Sequence, residues 1–173
     1  LENDDESYFN GEHFQAYGNV WNAIFDDVDN FIGEIMPGAL QKAEVICSKE
    51  AIKIMLSQKE GVIINISSMW GQTGASCETA YSASKGAVDA FTKALAKEVA
   101  PSGIRVNAIS PGMIATKMNA RLTEEEMKSF INDVPLEKIG QPNDIAEAAL
   151  FLVSEKASYI TGQIIGINGG YNI

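Results

Sequence analysis

Cysteine is scarce in this chain of 173 residues: Cys47 and Cys77 are the only two, and they make no disulfide framework. A reducing cytoplasm is the simplest setting. Histidine is scarcer still. His13 stands alone, so a Ser-His-Asp hydrolase has a single place to find its base. Cys47, Cys77 and His13 also lack zinc-ligand spacing, so no metal site is expected. Basic residues are missing from positions 1–41, where Glu2, Asp4, Asp5, Glu6, Glu12, Asp26, Asp27, Asp29 and Glu34 supply -9 of the net charge of -10. Without a basic stripe to neutralise phosphates, nucleic acid is not an expected partner. Long apolar runs are missing as well. The uncharged stretch 61–77 contains Asn, Ser, Gln and Gly, and no segment supplies the roughly 20 apolar residues of a membrane helix. Nor does Leu1 begin a basic and then apolar signal sequence.

What is present fits one packed domain. Hydrophobic residues make up 46% and charged ones 21%, which supports a core and excludes wholesale disorder. Positions 42–173 balance 14 acids against 13 bases, as an ordinary enzyme surface does. The acidic opening carries Tyr8, Phe9, Phe14, Tyr17, Trp21 and Phe25 without a clean period before about Trp21. Over 41–58, Val45, Ile46, Ile52, Met55 and Leu56 recur at helical spacing until Gly61 breaks the pattern. The β-branched run 62–66 reads as a buried parallel strand, followed by a polar loop over 67–78. A long helix is predicted over 80–99, with Ala87, Phe91, Ala94 and Leu95 on its apolar face and Pro101 and Gly103 ending it. A second strand spans 104–109 and stops at Pro111-Gly112. Thr123 and Glu126 form a capping box, Pro142 and Asp144 open a helix through Val153, and 163–167 is a last strand. This alternation predicts an α/β doubly wound parallel sheet with helical crossovers and a ligand at the carboxyl ends of the strands.

The informative loops are therefore those that follow the strands, 67–78 and 110–116. Tyr81 and Lys85 lie just past the first, four residues apart and so on one helix face, about 6 Å apart along the axis. An ammonium beside a phenol favours the ionised form by Coulomb attraction. That makes Tyr81 a candidate general acid or base. Ser68, at the strand end, is placed to hydrogen-bond a substrate oxygen at the same point. With 5 Tyr and 11 Lys, about 0.3 Tyr-x-x-x-Lys pairs are expected by chance, so the pair alone is a weak signal.

The combination is stronger. Asn65-Ile66-Ser67-Ser68, then Tyr81-Ser82-Ala83-Ser84-Lys85-Gly86-Ala87, then Arg105-Val106-Asn107-Ala108-Ile109-Ser110-Pro111-Gly112, and finally Ala157-Ser158-Tyr159-Ile160-Thr161-Gly162-Gln163 with Gly169-Gly170 closely resemble the short-chain dehydrogenase/reductase family. Within that family the chain is most similar to 3-oxoacyl-acyl carrier protein reductases and glucose-type dehydrogenases. The resemblance runs over about 42–173 in order and spacing. It implies a Rossmann-type fold, NAD or NADP as cofactor, and interconversion of a carbonyl and an alcohol by hydride transfer. It places the catalytic Ser, Tyr and Lys on Ser68, Tyr81 and Lys85, with Tyr81 and Lys85 also meeting the cofactor. The family's nicotinamide-contacting segment falls on Pro111, Gly112, Ile114 and Thr116. The implied partners are a small carbonyl or alcohol substrate, carried on acyl carrier protein in the ketoacyl reading, and further copies of the chain. Family tetramers form through segments that correspond to about 44–58, 80–99 and 163–168.

The departures are as specific. Neither a G-x-x-x-G-x-G nor a G-x-G-x-x-G turn occurs in 1–41, whereas a cofactor pyrophosphate needs a helix amino terminus with close-approach glycines. The family's catalytic Asn, counted back without a gap, falls on Leu40; Asn30 replaces it only with an insertion. The expected organisation is an acidic leader over 1–41 ahead of the carboxyl-terminal part of one Rossmann-type domain, without the family's first strands. The alternative function is that of a non-enzymatic assembly partner. For the ketoacyl reading, Lys53 and Lys59 suit a carrier-protein contact, while Ser102 stands where an Arg is common.

Overall fold

The structure, a computed structural model, describes residues 39–173 except Met118, Ala120 and Arg121, with side chains from Glu44 onward. The sequence readings on 1–38, Asn30 among them, lie outside the described residues, and Leu40 falls in the first turn of a helix whose side chains are described only beyond it. That helix, α1 (Ala39–Gln58), leads into β1 (Gly61–Ile66), a short helix α2 (Met69–Thr73) and the long α3 (Thr79–Val99). A 3-10 turn (Ala100–Ser102) precedes β2 (Ile104–Pro111); α4 (Glu124–Asp133), α5 (Pro142–Val153), a 3-10 turn (Glu155–Ala157) and β3 (Ile164–Ile167) complete the order. Glu44–Ile173 is one compact unit.

The three strands pair in parallel in the order β1-β2-β3. Gly61 faces Ile104 and Ile66 faces Ile109, while Ala108 faces Ile164 and Pro111 faces Ile167. Side chains alternate between the faces of a strand. Ile64 and Ile109 therefore pack on one side with Leu152 of α5, Ala157 and Ile165. Asn65 points to the other side, where its Nδ2 donates to Thr92 Oγ1 of α3 at 2.9 Å, both groups buried. Both faces of β2 are covered, and Ile104, Val106, Asn107, Ala108, Ile109 and Ser110 are buried.

Three expectations are corrected here. β1 was expected to be buried, yet most of it is only half-buried and Ile66 is exposed. It is an edge strand among the described residues, whereas β2 has a neighbour on each side. The buried stripe of α3 is also not the one that apolar counting selects: Ala94 is exposed and Ala87 and Phe91 are half-buried. The stripe runs through Ser84, Lys85, Val88, Asp89, Thr92, Leu95, Ala96 and Val99. Half of it is polar, and two of those polar groups are buried because they find partners, Thr92 on Asn65 and Lys85 on the backbone of Ile66. The reading of 67–78 as a loop missed α2. Ser68 caps that helix by accepting the Trp70 N–H at 3.2 Å. The capping box on α4 is present, with Thr123 and Glu126 bonded reciprocally, and Pro142 and Asp144 open α5 as expected.

Among the described residues, no helix is long and apolar enough to cross a membrane.

Candidate active site at the carboxyl ends of the strands

Ser67 and Ser68 leave β1 together and do different things. The Ser67 N–H donates to the Ile109 carbonyl at 2.8 Å, continuing the sheet, and its hydroxyl donates to the Lys85 carbonyl at 3.3 Å. Ser68, buried, turns the chain into α2. Its oxygen is an acceptor for Trp70, which leaves the hydroxyl proton as a donor for another group. Glycine allows α2 and α3 to cross closely: a Cβ on Gly71 would lie 2.8 Å from the Lys85 carbonyl carbon, and one on Gly86 would lie 3.3 Å from the Gly71 oxygen. Ser68 is thus held beside the turn of α3 that carries Lys85.

Tyr81 is half-buried in the first turn of α3, and the Ser84 hydroxyl donates to its carbonyl at 2.6 Å. Lys85 is buried, and its ammonium does not simply project beside the phenol as the four-residue spacing predicts. It donates to the Ile66 carbonyl at 2.7 Å and lies 3.4 Å from Glu44 Oε1 of α1. Glu44 is a residue that sequence reasoning missed, and a separation of 41 positions offers no periodic signal for it. Burial pushes its carboxyl above the ordinary range, against the opposing charge and hydrogen bond of Lys85. Its other oxygen, Oε2, is buried without a hydrogen-bond partner among the described residues.

The second segment leaves β2 next door. Ile66 pairs with Ile109, so Ser68 and Pro111 each stand two residues past the same rung. The Gly112 N–H donates to the Ile167 carbonyl at 3.0 Å, and a Cβ there would come within 2.7 Å of Asn168 Cα. Ile114 forms an isolated parallel bridge with Gly140, in which the Ala115 N–H and the Gly140 N–H make the bonds. Alternation along an extended chain then turns the Ile114 N–H and carbonyl away from Gly140. Asn119 Nδ2 takes that carbonyl at 2.8 Å. The side chain of Ile114 is buried, and Thr116 is exposed. Asn119 and Gly140 are further residues that the sequence reading did not select.

Beyond this segment, a cavity of about 340 Å³ is lined by Met113, Phe130, Val134, Leu136, Ile167 and Asn168 among others. It includes none of Ser68, Tyr81 and Lys85. An aromatic trio joins α2, α4 and the chain end: Tyr171 stacks on Phe130 with centroids 5.0 Å apart and meets Trp70 edge-on at 5.5 Å. Asn172 Nδ2 fastens the same end to the Met69 carbonyl at 3.0 Å.

Known proteins share this fold. The family model described as enoyl-(acyl carrier protein) reductase matches residues 42–172. A crystal structure of 3-oxoacyl-[acyl-carrier protein] reductase from Brucella melitensis is 39% identical and superposes with a TM-score of 0.67, over 70% of this chain and 46% of that one. The chain belongs to the short-chain dehydrogenase/reductase family. Among curated short-chain dehydrogenase/reductase relatives, the uncharacterized oxidoreductase YmfI of Bacillus subtilis is 44% identical over 149 residues, 86% of this chain and 62% of its own. The 3-oxoacyl-[acyl-carrier-protein] reductase of Rickettsia felis is 46% identical over 129 residues, 75% of this chain and 54% of its own. The chain thus spans about half to three-fifths of the length of the curated relatives it matches. Positions 42–173 number only 132, so the 149-residue similarity reaches into the first 41.

Proposed function

We propose that this short-chain dehydrogenase/reductase chain carries the acid-base site of an NAD(P)-dependent oxidoreductase that interconverts a carbonyl and an alcohol, with Ser68, Tyr81 and Lys85 as catalytic residues. One observation carries the reading: the Lys85 ammonium sits on the Ile66 carbonyl, two residues before Ser68, on a helix whose first turn holds Tyr81. In the reductive direction Tyr81 Oη gives its proton to the carbonyl oxygen, and the Ser68 hydroxyl donates to that same oxygen and orients it. Lys85 supplies positive charge to the phenol and a donor to the cofactor's ribose.

The nicotinamide end of the cofactor fits this chain, because the turned-out Ile114 backbone and the exposed Thr116 hydroxyl are suited to a carboxamide. Pro111 and Gly112 place that segment beside Ser68. When bound, the nicotinamide supplies the hydride. The glycines next to the β1 end do not serve a pyrophosphate in the same way, since Gly71 and Gly86 are taken up by the crossing of α2 and α3. NAD and NADP are equally compatible with these residues.

For the substrate, a 3-oxoacyl group on acyl carrier protein is the reading favoured by the relatives' names. Lys53, one of the cations suited to a carrier protein, is already held by Glu50 at 2.8 Å. Exposed Ile46 and Ile54 on α1, and Leu150, Phe151 and Val153 on α5, support assembly with further copies of the chain, and the setting is cytoplasmic. The half-buried β1 favours a second reading, an assembly partner without turnover. Calorimetric titration with NADPH separates the two, since the enzyme binds it and the assembly partner does not.

Tyr81→Phe tests the site. It removes the transferable proton and keeps the ring, so kcat for NADPH oxidation with a 3-oxoacyl thioester is expected to fall by about 10² to 10⁴ with the far-UV dichroism unchanged. A folded variant that keeps most of its activity would refute the assignment.

A further inference from the structure

We propose that Glu44 is a positioning residue for Lys85: with the Ile66 carbonyl, its carboxylate fixes the ammonium at the carboxyl end of β1 and sets how much positive charge Lys85 presents to Tyr81. This rests on the acid-base reading of Ser68, Tyr81 and Lys85. The geometry comes from three separate elements. Lys85 is on α3, Ile66 ends β1, and Glu44 is on α1, with two contacts to Nζ at 2.7 and 3.4 Å. The ammonium is almost out of solvent, its side chain 9% exposed against 23% for Glu44. An ion pair in such a place is felt strongly by its neighbours, because little water screens it.

Among the described residues, the charged and titratable groups around the pair are few. Tyr81 lies one turn before Lys85 on α3. Asp89 lies one turn after it, close enough to feel its charge, and Lys93 acts on Asp89 in turn. Glu44 is the group that meets Nζ directly. Its carboxylate offsets part of the ammonium's charge, so Tyr81 faces less positive charge than a bare cation would present. Burial holds the Glu44 carboxyl above the ordinary range, so on lowering the pH this offset fades earlier than that of an ordinary carboxylate would. Glu44 Oε2, buried and without a partner among the described residues, is an acceptor for a ligand hydroxyl or a water beside Lys85.

The test needs no cofactor in its first arm. Lys85 labelling by acetic anhydride, quantified by mass spectrometry against exposed Lys53, is compared at pH 8 in the wild type and in Glu44→Gln. Removing the carboxylate makes the free amine easier to form and opens one side of it, so labelling is expected to rise by about threefold or more. An unchanged ratio overturns the proposal. The second arm follows alcohol oxidation with saturating cofactor, where the midpoint of the pH–rate profile is expected to move down by about half a unit or more in Glu44→Gln. Increased labelling with an unmoved profile overturns the electrostatic reach to Tyr81. Increased labelling in a chain that shows no turnover at all supports the positioning of Lys85 and refutes the enzymatic reading. If Glu44→Gln does not fold, the side-chain ¹³C titration of Glu44 replaces it: Lys85→Met should move that titration to higher pH, and a titration that does not move overturns the proposal.

Discussion

Asn107 shows what one buried amide does for this fold. Fully buried on β2, it donates from Nδ2 to the Ile160 carbonyl at 2.9 Å and accepts the Gln163 N–H on Oδ1 at 3.0 Å. Both partners lie in the segment that brings the chain to β3, so one side chain fixes where that strand begins. Asn107→Leu keeps the bulk and leaves two backbone groups without partners, each worth about 1–3 kcal/mol. A loss of roughly 2–5 kcal/mol is expected, a large part of a total near 5–15 kcal/mol. The urea midpoint checks it, and a change below about 1 kcal/mol would mean that water reaches both groups. Arg105, two residues earlier, acts similarly at the other end of the crossover: its guanidinium donates to the Leu152 and Ser154 carbonyls at the end of α5. The sequence shows Asn107 and Arg105 in a family-like string, and their roles become visible only when residues 47 to 56 positions away are folded against them.

Two turns set the height at which β1 and β2 start to pair. Gly103, after α3, has φ of 75°, and a Cβ there would lie 2.5 Å from the Lys59 carbonyl oxygen. Lys59, in the turn before β1, has φ of 57° itself. Gly74 has nearly the φ of Gly103, 73°, but its ψ of 164° lies in a region open to little besides glycine, with nothing within 4 Å of the position a Cβ would take. Gly103, with ψ of 15°, is left-handed, so Gly103→Ala combines left-handed strain with a backbone clash, whereas Gly74→Ala carries conformational strain without a clash. The expected losses are about 1–3 kcal/mol for Gly74→Ala, and for Gly103→Ala more than the roughly 1–2 kcal/mol of left-handed strain alone. A Gly103→Ala loss in thermal unfolding no larger than that strain would show that the Lys59 turn yields freely. At this scale much was legible. β1, β2, β3, α3 and α5 each fall within about two residues of where apolar spacing and Pro or Gly place them, because burial and backbone geometry leave direct marks on the sequence. α2 left only its cap, Ser68, and the polar half of the α3 stripe left none. Ser84, Lys85 and Thr92 are buried by what they bond to, which periodicity does not record. The same limit hid Glu44, while Tyr81 and Ser68 stood out through spacing and their position after a strand.

Charge governs the molecule as a whole. Burial holds the carboxyls of Glu44, Asp89 and Glu98 above the ordinary range; for Glu44 the Lys85 charge opposes this, and for Asp89 the Ser67 hydrogen bond and two ammonium groups do. A raised carboxyl means that the folded protein keeps a proton that the unfolded chain has lost. Stability from these three is therefore greatest below the ordinary carboxylate range and falls as pH rises through the raised values. Glu126 has the opposite sign. Bonds from the Thr123 backbone and hydroxyl hold it below the ordinary range, so its contribution persists above that range and is lost only in stronger acid. The net charge of -10 adds self-repulsion at high pH. Together these predict a Tm that falls as the pH rises from just above the ordinary carboxylate range toward neutrality, checked by calorimetry. A Tm that rises with pH over that interval would mean that other carboxylates dominate. The aromatic trio of Trp70, Tyr171 and Phe130 gives the fold an optical reporter. Trp21 and Trp70 are the only indoles in the chain, so replacing Trp21 by Phe leaves a single emitter two residues from Ser68 and in van der Waals range of a phenol at the chain end. Its emission then registers whether the tail is seated on α2 and α4, and does so without any substrate.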